Sequence, residues 1–325
     1  MRVMVLGRIL VAGMLLALAA SFGATAQNYP TRAIRLIVPY PPAGANDLLA
    51  RMLGERLSAA WGQPVVVDNR PGANGLIGVE LAKHSAPDGY SLLIGATGTH
   101  AVNPALYRKL PYDPVTDFAP ITLVASAPIV LIVNPSLPAH SVAELVALSR
   151  ARPGKLNYAA GASLFNLTME LFKRATGADL TYVPYRGSVQ ALTGLMAGET
   201  QVAADIIETP LPFMRDGRLR ALAVTGTTRA FAAPELPTLA EEGVPGIEAT
   251  GWTGLYAPAG TPAPIVTALD REIRRILDEP GVLERLHGFG YERRALGPDA
   301  FATLMRREIA QYSRIAEEAH IPKLD

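Results

Sequence analysis

From Ile34 onward, short apolar runs alternate with stretches in which apolar residues recur every three or four positions. Ile34 to Val38 reads as a strand stopped by Pro39, Pro41 and Pro42, and Leu48, Leu49, Met52, Leu53 and Leu57 then fall on one face of a helix that starts near Asn46 or Asp47. Val65-Val66-Val67 and Leu92-Leu93-Ile94 predict two further strands, with a helix over Leu76 to Lys83 between them. A second unit begins after the apolar run Ile129 to Val133: Ser141 to Glu144 opens a helix as a capping box, and Leu156 to Ala159 reads as a strand. Helices over Leu167 to Thr176, Val189 to Ala197 and Pro210 to Asp216 then alternate with strands over Leu180 to Val183, Gln201 to Ile206 and Leu219 to Val224. This alternation predicts an α/β architecture in two units of similar size.

Thr228 to Gly251 is rich in Pro, Glu and Gly and has little periodicity, which predicts a surface excursion before strand character resumes over Trp252 to Ala257. Helices are expected to dominate to the end, where Phe301, Leu304, Met305, Ile309, Tyr312 and Ile315 mark a helix packed along the core. Ile121 to Val133 and Ala249 to Ala257 bracket the second unit, and neither has the Gly/Ser-rich composition of a free linker. A chain that crosses twice between lobes makes a hinged clamp. The expected division is therefore 27–127 with 252–325 as a discontinuous first lobe, and 128–251 as a second lobe inserted in it.

The N-terminus changes the picture by placing the protein outside the cytoplasm. Arg2 and Arg8 precede and flank an apolar run, Ile9 to Ala20, and Ala24-Thr25-Ala26 offers a small-residue cleavage site before Gln27. The run is shorter than the roughly 20 residues of a spanning helix, so 1–26 reads as a cleaved signal peptide and the mature chain as periplasmic. With no cysteine, the chain has no thiol chemistry, no disulfide and no lipid-modified anchor. Losing Arg2 and Arg8 from 30 basic residues against 29 acidic ones leaves a formal charge of −1, which favours neither nucleic acid nor a membrane surface.

Enzyme signatures are missing. The five histidines, His84, His100, His140, His287 and His320, show no helical zinc spacing and no metal motif. There is no Gly-x-Ser-x-Gly elbow and no phosphate loop, and Gly72, Gly75 and Gly78 lack the Gly-x-Gly turn that approaches a pyrophosphate. No cofactor is expected, and the reading is a binding protein, with an unmarked enzyme as the remoter alternative.

Tyr29 to Pro39, Asp68-Asn69-Arg70-Pro71-Gly72-Ala73-Asn74-Gly75, Pro87-Asp88-Gly89-Tyr90, Gly98-Thr99-His100-Ala101-Val102-Asn103-Pro104, Leu110 to Pro114, Asp117 to Ile121, Val183 to Gly187 and Ala257 to Pro262 run in order through the mature chain. Together they resemble the periplasmic receptors of tripartite tricarboxylate transporters, the Bug family. The resemblance implies a type II periplasmic-binding-protein fold, two α/β lobes on a two-strand hinge, closing on a small organic acid. It also implies a partner, either transporter subunits in the membrane or a sensor kinase to which the ligand is presented. A monomer is expected.

In open α/β units ligands sit beyond the carboxyl ends of strands. The first such loop is Pro41 to Asp47, where Pro42, Ala43, Gly44, Ala45 and Asn46 offer free backbone N–H groups and a helix N-terminus to an anion, while the charge of Asp47 opposes one. The second is Ala96 to Asn103, a binding segment by family position, with the Thr97 and Thr99 hydroxyls as donors and His100 and Asn103 beside them. From the second lobe come Gly161 to Asn166, with Ser163 and Asn166 as contacts, together with Tyr185 and Asp205. Arg186 reads as a solvated or lobe-fixing charge. The family usually has a longer, more polar loop with His where Asn166 stands; the shorter loop here, carrying Leu164 and Phe165, predicts a more apolar far end to the pocket.

Overall fold

The computed structural model describes residues 29–247, 249–318 and 321–325, so the signal peptide expected at 1–26 lies outside the described residues. β1 (Ile34–Val38) pairs in parallel with β2 (Val65–Asn69) on one side and β3 (Ser91–Ala96) on the other. The returns are α1 (Ala45–Trp61) and α2 (Leu76–Lys83). Leu49, Met52, Leu53 and Leu57 of α1 are buried at helical spacing, and the helix stops at Gly62, which takes the left-handed conformation (φ 65°) and donates to the Ser58 carbonyl at 2.9 Å. After β3 come a π-helical turn, Gly98–Val102, and the short α3 (Asn103–Leu106).

The backbone of the fold is β4 (Phe118–Val133), 16 residues long. From Phe118 to Pro128 it pairs antiparallel with β9 (Thr250–Pro258), which in turn pairs with β3. From Ile129 to Val133 its partners are β7 (Val202–Ile206) and β8 (Arg220–Val224). The partners therefore change between Pro128 and Ile129. In the second group β7 pairs in parallel with β5 (Asn157–Ala160), and β5 with β6 (Thr181–Pro184), so the strand order is β2-β1-β3-β9-β4-β7-β5-β6. Around this group pack α4 (Val142–Ala151), α5 (Ser163–Thr176), α6 (Ser188–Ala197) and α7 (Leu211–Arg215).

The chain ends with α8 (Ala263–Leu277), α9 (Pro280–Gly288), β10 (Glu292–Leu296) and α10 (Pro298–Glu318). α10 buries Phe301, Met305 and Tyr312. It is fixed to β9 by Trp252, whose indole N–H donates to Glu308 Oε2 at 2.5 Å. Gly254 of β9 has to be glycine because a Cβ there would run into the Phe301 ring. No helix of the described residues is long and apolar enough to cross a membrane.

Four local readings are corrected. α5 begins at Ser163, a turn before the expected Leu167, because Leu164, Phe165, Leu167 and Thr168 together form one buried helical face. Of the segment Ala96 to Asn103, Ala96 ends β3 and Thr97 to Asn103 form a buried helical turn rather than an open loop. The terminal region contains a strand, β10, antiparallel to β4 at Leu123 to Ser126; its charged residues hid the period-two signal of an edge strand. The capping box at Ser141 is displaced: Ser141 Oγ accepts from the Glu144 N–H at 3.2 Å, but the Glu144 carboxylate accepts from the His140 N–H at 2.6 Å.

Candidate functional site

The carboxyl ends of β1 and β3 in the first strand group and of β5 and β7 in the second meet at one junction. There Ser163 donates its hydroxyl hydrogen to Asn103 Oδ1 at 2.9 Å. A Cβ built on Gly98 would stand 3.4 Å from the Tyr40 hydroxyl and 3.8 Å from Ser163 Oγ, and one on Gly187 would touch Pro41 Cγ at 3.4 Å. The two groups are thus in contact through Pro41 and Gly187 as well as through Ser163 and Asn103.

The first loop is built around Asp47. Ala43 adopts a left-handed conformation (φ 66°), turning its N–H to Asp47 Oδ2 at 2.9 Å. The same oxygen accepts from Arg51 Nε at 2.9 Å, and Oδ1 accepts from Asn69 Nδ2 at 2.9 Å. Burial opposes the charged form of Asp47, but the bonds from Arg51, Ala43 and Asn69, with the charge of Arg51, outweigh it and hold the carboxyl below the usual carboxylate range. Asp47 is therefore the buckle of the loop, its charge already matched. Gly44 is extended and caps α1 with no side chain, and the N–H groups of Gly44, Ala45 and Asn46 have no partner among the described residues. Pro42 and Ala43 are exposed at the rim, and the buried Asn46 accepts from the Thr253 hydroxyl through Oδ1 at 2.7 Å.

The second segment uses its own donors. Thr97 Oγ1 donates to the Thr250 carbonyl at 3.2 Å and accepts from the Trp252 N–H at 2.8 Å, tying the turn to β9. Thr99 Oγ1 donates to the Ala96 carbonyl at 3.1 Å and lies 2.9 Å from His100 Nδ1. His100 is fully buried, stacked on Tyr256 with ring centroids 4.1 Å apart and packed beside Phe118 and Tyr112. Burial lowers its pKa to about 3, so the ring is neutral. Asn103 donates through Nδ2 to the Asn74 carbonyl at 3.1 Å while accepting from Ser163. Of this segment, Gly98 and Asn103 reach the junction; Thr97, Thr99 and His100 form the packed layer behind it.

In the second strand group, Asn166 and Glu170 both lie 2.6 Å from the Tyr158 hydroxyl, so the Asn166 side chain serves the packing of α5 on β5. Tyr185 turns toward α6, where its hydroxyl donates to Glu199 Oε2 at 3.0 Å beside Gly194. Arg186 is exposed. Leu164 and Phe165 are buried in the apolar core. Asp205 is 1% exposed; its Oδ1 accepts from Ser188 Oγ at 2.9 Å and from the Ile206 N–H at 2.8 Å, while Oδ2 has no partner. Burial raises its pKa to about 7 against the opposing effect of those bonds.

Sequence reasoning missed Tyr40, Ser188, Glu208 and Tyr291. Ser188 follows a strand of the α/β unit and was legible by the same rule that selected the first loop. Glu208 and Tyr291 carry no local signal, since one sits in a turn and the other lies 83 residues further along the chain.

A family model described as the tripartite tricarboxylate transporter family receptor matches residues 49–321. BugT of Bordetella pertussis is 38% identical over 299 residues, covering 90% of this chain and 91% of that protein. Among solved structures, R. palustris Rpa4515 with adipate superposes with a TM-score of 0.88 at 39% identity, covering 91% of this chain and all of that one. MatC from Rhodopseudomonas palustris with bound malate gives a TM-score of 0.84 at 32% identity, covering 88% and 99%. The fold is that of the type II periplasmic binding proteins, and this chain belongs to the Bug/TctC family of periplasmic solute-binding receptors.

Proposed function

We propose that this protein is a periplasmic receptor that captures a small organic acid between two closing lobes and delivers it to a tripartite tricarboxylate-type transporter. The observation that carries the reading is the row of unpartnered N–H groups on Gly44, Ala45 and Asn46 at the start of a 17-residue helix, beside the junction of the strand groups. Such a row binds a carboxylate by hydrogen bonds worth about 1.5 to 3 kcal/mol each to a charged acceptor, more than the helix dipole adds. The bound adipate and malate of the two R. palustris relatives support a carboxylate ligand.

In this reading the lobes are 27–127 with 252–325, and 128–251, and the hinge is β4 with β9; the change of β4 partners between Pro128 and Ile129 supports it. Gly44, Ala45 and Asn46 hold the carboxylate under the rim of Pro42 and Ala43, Ser163 and Asn103 latch the closed form, and Asp205 faces the ligand from the second lobe. Segment 1–26 is removed on export, and the mature protein, without cysteine, diffuses freely.

A thermal-shift screen of aliphatic, aromatic, amino and pyridine acids tests the ligand class, because a ligand bound only by the folded state raises the melting temperature. Stabilisation by acids and not by neutral sugars is expected; stabilisation by sugars or simple amines alone would overturn the reading. N-terminal sequencing of the exported protein tests the cleavage after Ala26.

A further inference from the structure

Gly72, Ala73, Asn74 and Gly75 follow one another with positive φ throughout, at 131°, 47°, 53° and 89°. L-residues enter the left-handed region singly, at turns and helix ends, so a run of this kind persists only where its surroundings hold it. The turn follows β2 and leads into α2, and the Gly75 N–H closes it by donating to the Gly72 carbonyl at 2.9 Å. Gly75 is pressed against the π-helical turn, where a Cβ would come within 2.6 Å of Thr99 Cγ2. Asn74 Nδ2 donates to the Tyr107 hydroxyl at 2.8 Å. Tyr107 is fixed in turn by segment 321–325: Leu324 forms a parallel bridge with it, donates its N–H to the Leu106 carbonyl at 2.7 Å and accepts from the Arg108 N–H at 2.9 Å.

The left-handed backbone presents the Asn74 carbonyl to Asn103, whose Nδ2 donates to it at 3.1 Å. An amide whose nitrogen is fixed on one side has its oxygen fixed on the other. Asn103 Oδ1 is therefore the atom that meets Ser163 of the second strand group, at 2.9 Å. Turning the amide over would set Oδ1 against the Asn74 carbonyl, two acceptors in contact at a residue with no exposure to water. A right-handed backbone at Asn74 would carry its carbonyl away from Asn103 and release the amide. The one side-chain hydrogen bond that joins Asn103 to Ser163 thus depends on a turn that touches neither Ser163 nor the free amides of α1.

We propose that the left-handed turn Gly72–Gly75 positions the inter-lobe latch, with Asn74 as the positioning residue and the Tyr107 hydroxyl as its anchor. The inference rests on the two-lobe reading above and adds the residues that set the latch.

The chain has no cysteine, so Arg271→Cys on α8 and Ala197→Cys on α6, both at exposed positions, accept one spin label each. Pulsed electron resonance then reads the ratio of closed to open lobes in the mature protein, alone and with adipate or malate. That ratio is expected to fall about fivefold in Asn74→Val, because a β-branched side chain resists the left-handed φ and the turn releases the Asn103 amide. Asn74→Gly keeps the backbone and loses only the bond to Tyr107; it and Tyr107→Phe should each lower the ratio about threefold, and no further when combined. In the Ser163→Ala background each of these changes should alter the ratio by no more than about twofold, since the bond being positioned is already absent. A parental ratio in Asn74→Gly and Asn74→Val, or losses that add in full to that of Ser163→Ala, would overturn the positioning role and leave the two-lobe receptor standing. A single inter-lobe distance that neither acid nor any variant shifts would overturn both.

Discussion

Ser163 and Asn103 share a buried hydrogen bond of 2.9 Å between residues 60 positions apart, one on the first turn of α5 and the other at the end of the π-helical turn. It joins the two strand groups at the junction where Gly98 lies close to both Tyr40 and Ser163. A bond formed only when the groups meet contributes to closure, and closure to ligand affinity. Ser163→Ala is therefore expected to weaken binding of the best acid by roughly fivefold, about 1 kcal/mol, while leaving the melting temperature of the unliganded protein nearly unchanged. Calorimetry paired with a thermal scan separates the two effects.

Gly44 has ordinary extended dihedrals, and a Cβ there would meet nothing closer than the Pro41 carbonyl oxygen at 3.7 Å. Gly44→Leu should fold as the parent does, yet place a side chain over the three free amides. Carboxylate affinity is expected to fall at least tenfold, roughly the loss of one charge-assisted hydrogen bond. Unchanged affinity would remove this loop from the site.

Asp47 contributes stability in its ionised form, because its folded pKa lies below the unfolded one. That contribution is complete above the unfolded value near pH 4 and is lost as pH falls through the lower folded value. Asp47→Asn should cost about 1 to 3 kcal/mol at pH 7, toward the lower end because Arg51 is half exposed. Denaturant titrations at pH 7 and pH 3 should show the gap between variant and parent closing in acid.

Asp205 behaves with the opposite sign. Its folded pKa of about 7 lies above the unfolded value, so the folded state holds the proton more tightly and this residue's effect lowers stability as pH rises from about 4 to about 7. The slope per titrating group approaches about 1.4 kcal/mol per pH unit in that window. Asp205→Asn keeps an acceptor for Ser188 and the Ile206 N–H and should flatten this part of the unliganded protein's stability profile, measured by denaturant titration across pH 4 to 8.

The strands and most helices were legible because their burial is periodic: Ile34 to Val38 and the Leu49, Met52, Leu53 and Leu57 face read directly as elements. The first loop was legible as well, since a strand followed by small residues and a helix start leaves amides free wherever it occurs. β10 was not, because an edge strand of Glu292, Arg293 and Arg294 carries no core alternation. Nor were the internal uses of Thr97, Thr99 and Tyr185, whose hydroxyls are taken by partners that only packing supplies.

By itself the sequence determined the α/β alternation, the absence of thiol chemistry and the anion-ready start of α1, all of which depend on residue type and near-neighbour spacing. The tertiary structure decided which polar groups remain unspent. It closed Asp47 into a buckle with Arg51 and Asn69, buried His100 as a neutral core residue, and left Asp205 Oδ2, Glu208 Oε2 and the Tyr291 hydroxyl buried without partners among the described residues. Hydrogen-bond satisfaction and charge pairing are properties of neighbours in space, and a long antiparallel β4 that changes partners at Ile129 sets those neighbours.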